Sequence, residues 1–160
     1  MLESNFEMIK TMRIAIGADH AGFEEKEAIK PTLDSLGIEY VDVGTTSADS
    51  VDYPDYARKV AEAVAKGEVD QGLLMCGSGT GMAISANKVK GVRAAVAWNE
   101  DIARLARQHN NANVLALPAR FASKEEMANI VKAFFSTDFE GGRHAPRVDK
   151  ISQIESDDLC

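Results

Sequence analysis

Short apolar runs alternate along this chain with longer stretches in which apolar residues recur every three or four positions. Arg13–Gly17, Glu39–Val43, Gln71–Cys76, Arg93–Ala97 and Asn113–Leu117 are short, β-branched or apolar, and bounded by turn residues, so they read as strands. Phe23–Leu36, Tyr53–Ala65, Gly81–Asn87, Asn99–Gln108 and Ser123–Phe134 carry the helical spacing. Start and stop signals agree with this division. Gly37 and Gly67 stand where helix C-caps belong, Pro54 suits a first helical turn, and Ser123-Lys-Glu-Glu126 spells a capping box. Apolar strands alternating with helices predict a parallel sheet covered on both faces: a doubly wound, Rossmann-like α/β fold of five strands. No internal repeat or low-complexity segment interrupts it.

In such sheets ligands bind beyond the carboxyl ends of the strands, near the point where strand order reverses. Polar residues are expected there: Asp19-His20 after the first strand, Cys76 and its glycines after the third, and Trp98-Asn99-Glu100 after the fourth. Gln108-His109-Asn110-Asn111, at the end of the helix before the fifth strand, is expected to join them. Singly, each has an ordinary alternative, since His20 can be a surface residue and His109 can complement a helix C-terminus. Together they read as a site.

The densest chemistry lies in Leu73-Leu74-Met75-Cys76-Gly77-Ser78-Gly79-Thr80-Gly81-Met82, an apolar strand that ends on a thiol and opens into a glycine-rich turn before a helix. Glycines permit positive φ and close backbone approach, so the amides of Gly77, Ser78, Gly79, Thr80 and Gly81 can converge on an oxyanion or phosphate. A P-loop is excluded because no Gly-Lys-Ser/Thr follows, and the dinucleotide fingerprint fails because its third glycine position holds Met82. A cysteine phosphatase would want an arginine at that same place. What remains is either a thiol beside an anion nest or a small buried apolar side chain at a strand end.

Composition changes the picture in three ways. At 160 residues the chain has the size of one domain, able to bury a core without disulfides. Its formal charge of −7 disfavours nucleic acid and anionic membranes as partners, so an anionic ligand needs a local positive cluster. Two cysteines, Cys76 and Cys160, form no disulfide framework, which points to a reducing cytoplasm. Residues 1–11 lack the apolar core of a signal peptide and no run is long enough to span a bilayer. The expected organisation is an N-terminal extension over 1–11, one α/β domain over 12–155 and a tail over 156–160. The positive cluster is supplied by Gly141-Gly142-Arg143-His144-Ala145-Pro146-Arg147, a glycine turn leading into a short helix. Arginines at a helix N-terminus oppose its dipole, and a bound anion relieves that conflict; a small phosphorylated substrate fits.

Five separated motifs carry a wider likeness: Gly17-Ala-Asp19-His20-Ala-Gly22, Asp52-Tyr53-Pro54, Cys76-Gly-Ser-Gly-Thr-Gly81, Arg107-Gln-His109-Asn110 and Gly141-Gly-Arg143-His144. In this order, from about Met12 to Glu155, the chain resembles the family of type B ribose-5-phosphate isomerases and galactose-6-phosphate isomerase subunits, in its cysteine-bearing branch. The resemblance implies an aldose-ketose isomerase without metal or cofactor, working in the pentose phosphate pathway as a homodimer or dimer of dimers, with Cys76 and its loop from one subunit facing His109 and Asn110 from the other. It implies Cys76 as the base that moves a proton between C2 and C1, and His109 as the acid-base group for ring opening. Asp19 and His20 would position the sugar, the Gly77–Gly81 amides would hold the enediolate oxygens, and Asn110 would bind a hydroxyl. Arg143 and Arg147 would hold the phosphate, with His144 and Arg120. Galactose 6-phosphate or allose 6-phosphate needs the same chemistry on a longer sugar. A non-catalytic phosphosugar-binding module would need the arginines and the glycine loop, but not both Cys76 and His109. With three histidines and no His-x-x-x-His or Cys-x-x-Cys spacing, no metal site is expected.

Overall fold

The computed structural model describes residues 11–157. The expected extension over 1–11, apart from Thr11, and the end of the tail, including Cys160, lie outside the described residues.

Five strands, β1 (Arg13–Ala18), β2 (Glu39–Asp42), β3 (Gln71–Cys76), β4 (Ala94–Val96) and β5 (Val114–Pro118), form one parallel sheet in the order β2-β1-β3-β5-β4. The connecting helices are α1 (Phe23–Ser35), α2 (Tyr53–Ala65), α3 (Thr80–Ala86) and α4 (Glu100–Asn110). Helix α5 (Lys124–Phe135) follows β5, and a 3-10 turn at Gly142–His144 leads into α6 (Ala145–Ser156). Right-handed crossovers dictate the layers. The β1-to-β2 and β4-to-β5 connections run in one direction across the sheet, and the β2-to-β3 and β3-to-β4 connections run in the other. Helices α1 and α4 therefore fall on one face and α2 and α3 on the opposite one.

Alternation along the central strands sorts the core accordingly. Ile14, Ile16, Leu73, Met75, Leu115 and Leu117 pack with residues of α1, α4 and α5, whereas Ala15, Leu74, Cys76, Val114 and Ala116 pack with residues of α2 and α3. Cys76 thus points toward the α2–α3 side of the sheet.

The terminal signals read from the sequence are present. Gly37 and Gly67 have φ of 68° and 71° just beyond their helices, and Ser123 and Glu126 make both bonds of the capping box. Three boundaries differ usefully. Strand β4 is only Ala94–Val96, because it pairs on one side alone and the Arg93 amide donates to the Asn113 side chain at 2.7 Å. Helix α4 runs two residues past Gln108, closed by Asn111 at φ 47°, whose side chain accepts from the Arg107 guanidinium at 3.0 Å. His109 and Asn110 are therefore helical. The short helix expected after the Gly141-Gly142 turn is the 12-residue α6.

Strand order reverses between β1 and β3, and the turn after β1 is pressed against β3 there. A Cβ added at Gly22 would lie 2.5 Å from the Met75 carbonyl oxygen. Gly22→Ala should therefore lose about 1–3 kcal/mol of stability from overpacking against fixed backbone. Gly37→Ala, at an open left-handed position, should lose about 1–2 kcal/mol through φ alone. Urea unfolding of both variants measures this, and a Gly22→Ala midpoint equal to the parent's would show that the turn opens without cost.

Candidate functional site

The carboxyl edge of the sheet gathers one group of predicted residues at the β1/β3 reversal. Asp19 is buried, and its Oδ1 accepts from the amides of Ala21 at 2.9 Å and Gly22 at 3.2 Å, so the carboxylate builds the turn that carries His20. His20 Nδ1 accepts from the Val51 amide at 3.2 Å. That bond fixes the tautomer: the proton of the neutral ring sits on Nε2, available to donate.

Beside this turn, Cys76 ends β3 as a free thiol, 5% exposed. Gly79 adopts φ 78°, where a Cβ would meet the Leu117 carbonyl carbon at 3.1 Å, and this tight left-handed step starts α3. The first intrahelical bond runs from the Ala83 amide to the Gly79 carbonyl, so the amides of Gly79, Thr80, Gly81 and Met82 precede it. Ser78 Oγ accepts from the Thr80 amide at 3.3 Å, which orders the loop. Arg120 joins the group. Its backbone amide donates to the Gly77 carbonyl at 3.0 Å, and its side chain passes within 3.3 Å of where a Gly77 Cβ would stand. Asp19, His20, Cys76, Gly77 to Gly81 and Arg120 are thus one constellation.

Tyr53 belongs beside them and was missed as a site residue. Its ring lies 2.8 Å from the position of a Gly81 Cβ, over the start of α3, and the residue is 42% exposed. The only signal in the sequence was its place in the Asp52-Tyr53-Pro54 motif.

The remaining predicted residues form a second group, and here the expectation of one cluster at the carboxyl ends needs correction. Helix α4 leaves the carboxyl end of β4 and returns toward the amino end of β5, so Gln108, His109, Asn110 and Asn111 arrive at the opposite edge from Cys76. Eleven residues of helix separate the two levels by roughly 16 Å. His109 stacks on His144, with centroids 4.1 Å apart and planes at 15°. The segment between α5 and α6 is held there by the Glu140 amide donating to the Gln108 carbonyl at 3.1 Å, and by Arg107, buried, donating to the Thr137 and Ala112 carbonyls at 3.0 and 2.6 Å. Arg143 and Arg147 are exposed near the start of α6, on the same side of the molecule as the imidazole pair. Trp98-Asn99-Glu100 takes no part in either group: Asn99 is the N-cap of α4, accepting from the Ile102 amide at 2.9 Å.

A second residue was also missed. Glu140, with His109 and His144, places three potential metal donors within 4.8 Å of one another. Local spacing rules could not find them because they come from two elements.

A doubly wound α/β protein with a thiol and a glycine turn at its switch point, and a stacked imidazole pair beside Arg143 and Arg147 on its other edge, has the features of the class that handles small anionic ligands. Comparison with known proteins makes this specific. Residues 14–151 match the profile of the Ribose/Galactose Isomerase family. Ribose-5-phosphate isomerase B of Escherichia coli (strain K12) is 48% identical over 143 residues, covering 89% of this chain and 96% of that protein. The structure of Clostridium thermocellum ribose-5-phosphate isomerase B aligns with a TM-score of 0.89 at 49% identity, covering 91% of this chain and 98% of that one. The structure of the Mycoplasma genitalium ribose-5-phosphate isomerase B with bound ribulose-5-phosphate aligns with a TM-score of 0.87 at 44% identity, covering 91% and 97%. The chain belongs to the ribose/galactose isomerase family.

The surroundings of His144 set its titration. Burial chiefly, then the neighbouring His109, Arg143 and Arg147, hold its imidazole below the ordinary value of 6.5, with Glu140 opposing them. Between the lowered folded value and 6.5 the unfolded chain binds more protons than the folded one, so stability falls as pH drops through that window. Urea midpoints measured from pH 7.5 downward should decline below about pH 6.5, and His144→Gln should flatten that decline. An unchanged slope in the variant would remove His144 as its source.

Proposed function

We propose that this protein is an aldose-ketose isomerase that interconverts ribose 5-phosphate and ribulose 5-phosphate through an enediolate, without a metal or cofactor. The observation that carries the chemistry is the Cys76 thiol at the β1/β3 reversal, beside the amides that open α3. Membership of the family and the ribulose-5-phosphate bound to the Mycoplasma genitalium relative support the substrate.

Conversion begins with ring opening, for which His109 acts as the acid-base group. The Cys76 thiolate then takes the proton from C2, and the electron pair moves into an enediolate. Amides of Gly77 to Gly81 stabilise the charge developing on the C1 and C2 oxygens, as in an oxyanion hole. Cys76 returns the proton to C1 while the O2 hydroxyl proton passes to O1 and C2 becomes the carbonyl, so one carbon is oxidised as its neighbour is reduced. Asp19 holds the turn, and His20 offers Nε2–H to a sugar oxygen. Asn110 binds a hydroxyl, and Arg143, Arg147, His144 and Arg120 hold the phosphate by charge-assisted bonds.

These roles require both groups of residues at one substrate, yet a single chain keeps them on opposite edges. A second copy completes the site, with Cys76 and its loop facing the His109 group of a partner in a two-fold dimer. Ile84, Trp98, Leu105, Phe121 and Ile154, each 42 to 77% exposed, supply apolar surface of the kind such contacts cover. No helix among the described residues is long and apolar enough to cross a membrane.

The direct test is ketose formation from ribose 5-phosphate by chelator-treated protein, with galactose 6-phosphate and allose 6-phosphate assayed alongside. The five-carbon substrate should turn over fully in EDTA. Cys76→Ala should bind the sugar but lose about 10²–10⁴-fold in turnover. Preference for a six-carbon sugar would overturn the substrate, and normal turnover by the alanine variant would overturn the base.

Assembly has its own test. Cys76→Ala and His109→Asn are each inactive in this reading. In a hybrid dimer one site carries both lesions and the other carries neither. Random equal mixing makes half the dimers hybrids, so about a quarter of the parental activity should return. No recovery after demonstrated exchange would mean that both residues act from one chain.

A further inference from the structure

We propose that His109, Glu140 and His144 form a zinc site through which a borderline transition-metal ion reversibly inhibits the protein. The inhibitory consequence rests on the isomerase reading above, whereas the binding site does not.

Two independent observations point to a ligand. The three donor atoms lie within 4.8 Å of one another, an array of two imidazoles and one carboxylate. The His144 side chain is 8% exposed, and its buried Nε2 has no hydrogen-bond partner among the described residues; it lies 3.5 Å from Glu140 Oε2. A buried imidazole nitrogen aimed at a carboxylate beyond hydrogen-bond geometry leaves a polar atom uncompensated. A metal ion satisfies all three donors at once.

The donor set selects the ion. Two histidines and a glutamate match three-ligand zinc sites, whose fourth position stays open to water or substrate. Magnesium and calcium prefer oxygen donors and fit poorly. Donors 2.0–2.2 Å from a tetrahedral ion stand roughly 3.4 Å apart, so the present array needs to close by little more than an ångström. The rings are stacked, with their planes at 15°, so each imidazole must turn about its Cβ–Cγ bond to bring its lone pair onto the ion. The backbone that carries them is tied on both sides: the Glu140 amide donates to the Gln108 carbonyl at 3.1 Å and the His144 amide to the Gly141 carbonyl at 3.0 Å. The cationic neighbours Arg143 and Arg147 weaken the ion's hold, consistent with reversible capture. Bound zinc would occupy the imidazole of His109 and deny it to the sugar ring.

Calorimetric titration of chelator-treated protein with zinc tests the site without substrate. One ion per chain is expected, with Glu140→Gln weakening it by at least about tenfold and Cys76→Ala leaving it unchanged. Magnesium should give no binding. In the isomerase assay zinc should inhibit, EDTA should restore activity, and Glu140→Gln should keep parental turnover while requiring about tenfold more zinc for the same inhibition. Equal zinc affinity in the parent and Glu140→Gln, or loss of the ion in Cys76→Ala, would overturn the proposal. Zinc binding by a protein that isomerises no sugar would support the site and count against the isomerase reading; isomerisation with no zinc binding would do the reverse.

Discussion

A crossover helix in a parallel sheet must carry the chain from the carboxyl end of one strand back to the amino end of the next. That constraint divides the chemistry of this protein. Residues that end strands or begin helices, such as Cys76 and the Gly77–Gly81 turn, collect on one edge. Residues that end helices, such as His109 and Asn110, collect on the other. No adjustment of loops within one chain closes a gap set by the length of α4. The separation of the two groups follows from the direction of a helix rather than from any special contact.

The carboxyl edge is itself secured from outside the site. Lys26 is fully buried, stands over the Phe23 ring, and is ion-paired with Asp42 and with Glu27. Burial of Asp42 would raise its carboxyl, but Lys26, Lys30 and the Gly44 amide prevail and hold it below its ordinary value. The bond from the Gly44 amide to Asp42 Oδ1, at 2.9 Å, passes this fixation onward. Gly44 accepts from the Ala18 amide and Thr45 donates to the Ala18 carbonyl, both at 2.8 Å. Ala18 immediately precedes Asp19. The buried Lys26 ammonium and its more exposed carboxylate partners therefore set the backbone from which the His20 turn departs. Removing one of its partners would leave an uncompensated charge, which is costly in a way that loss of a surface pair is not.

Most of the fold was legible because its signals are local. Apolar runs, Gly37, Gly67, Pro54 and the Ser123–Glu126 box each act within a few residues, and they gave the strands, the helices and the parallel sheet. The Cys76 loop was legible for the same reason. The role of Asn99 was less so, since a polar residue after a strand can bind a ligand or cap the next helix, and only geometry shows that its side chain accepts from Ile102. Tyr53 and Glu140 act across elements distant in sequence: one covers Gly81, and the other meets two histidines from a loop beyond α5. Spacing rules carry no information about such meetings.

The placement of His109 shows how a rule about position in a sheet can mislead for a residue at a helix end. Its sequence neighbours mark a helix end, and the rule for ligand sites in α/β sheets favours the carboxyl edge, so the rule grouped His109 with the strand-end residues, whereas the family resemblance implied that it faces Cys76 from a second chain. The rule holds for Cys76, Asp19 and His20. It fails for His109 because a helix ending before a strand lies by necessity at the amino edge. What His109 meets there is His144, whose imidazole is kept below its ordinary value by burial and by the cations around it. Stacked on His109, a ring biased toward its neutral form limits charge repulsion within the pair. An anion held by Arg143 and Arg147 would offset part of the positive charge that lowers His144 and so ease the protonation of that ring. His109, His144 and the two arginines therefore share one electrostatic environment, in which a charge brought to one of them is felt by the others.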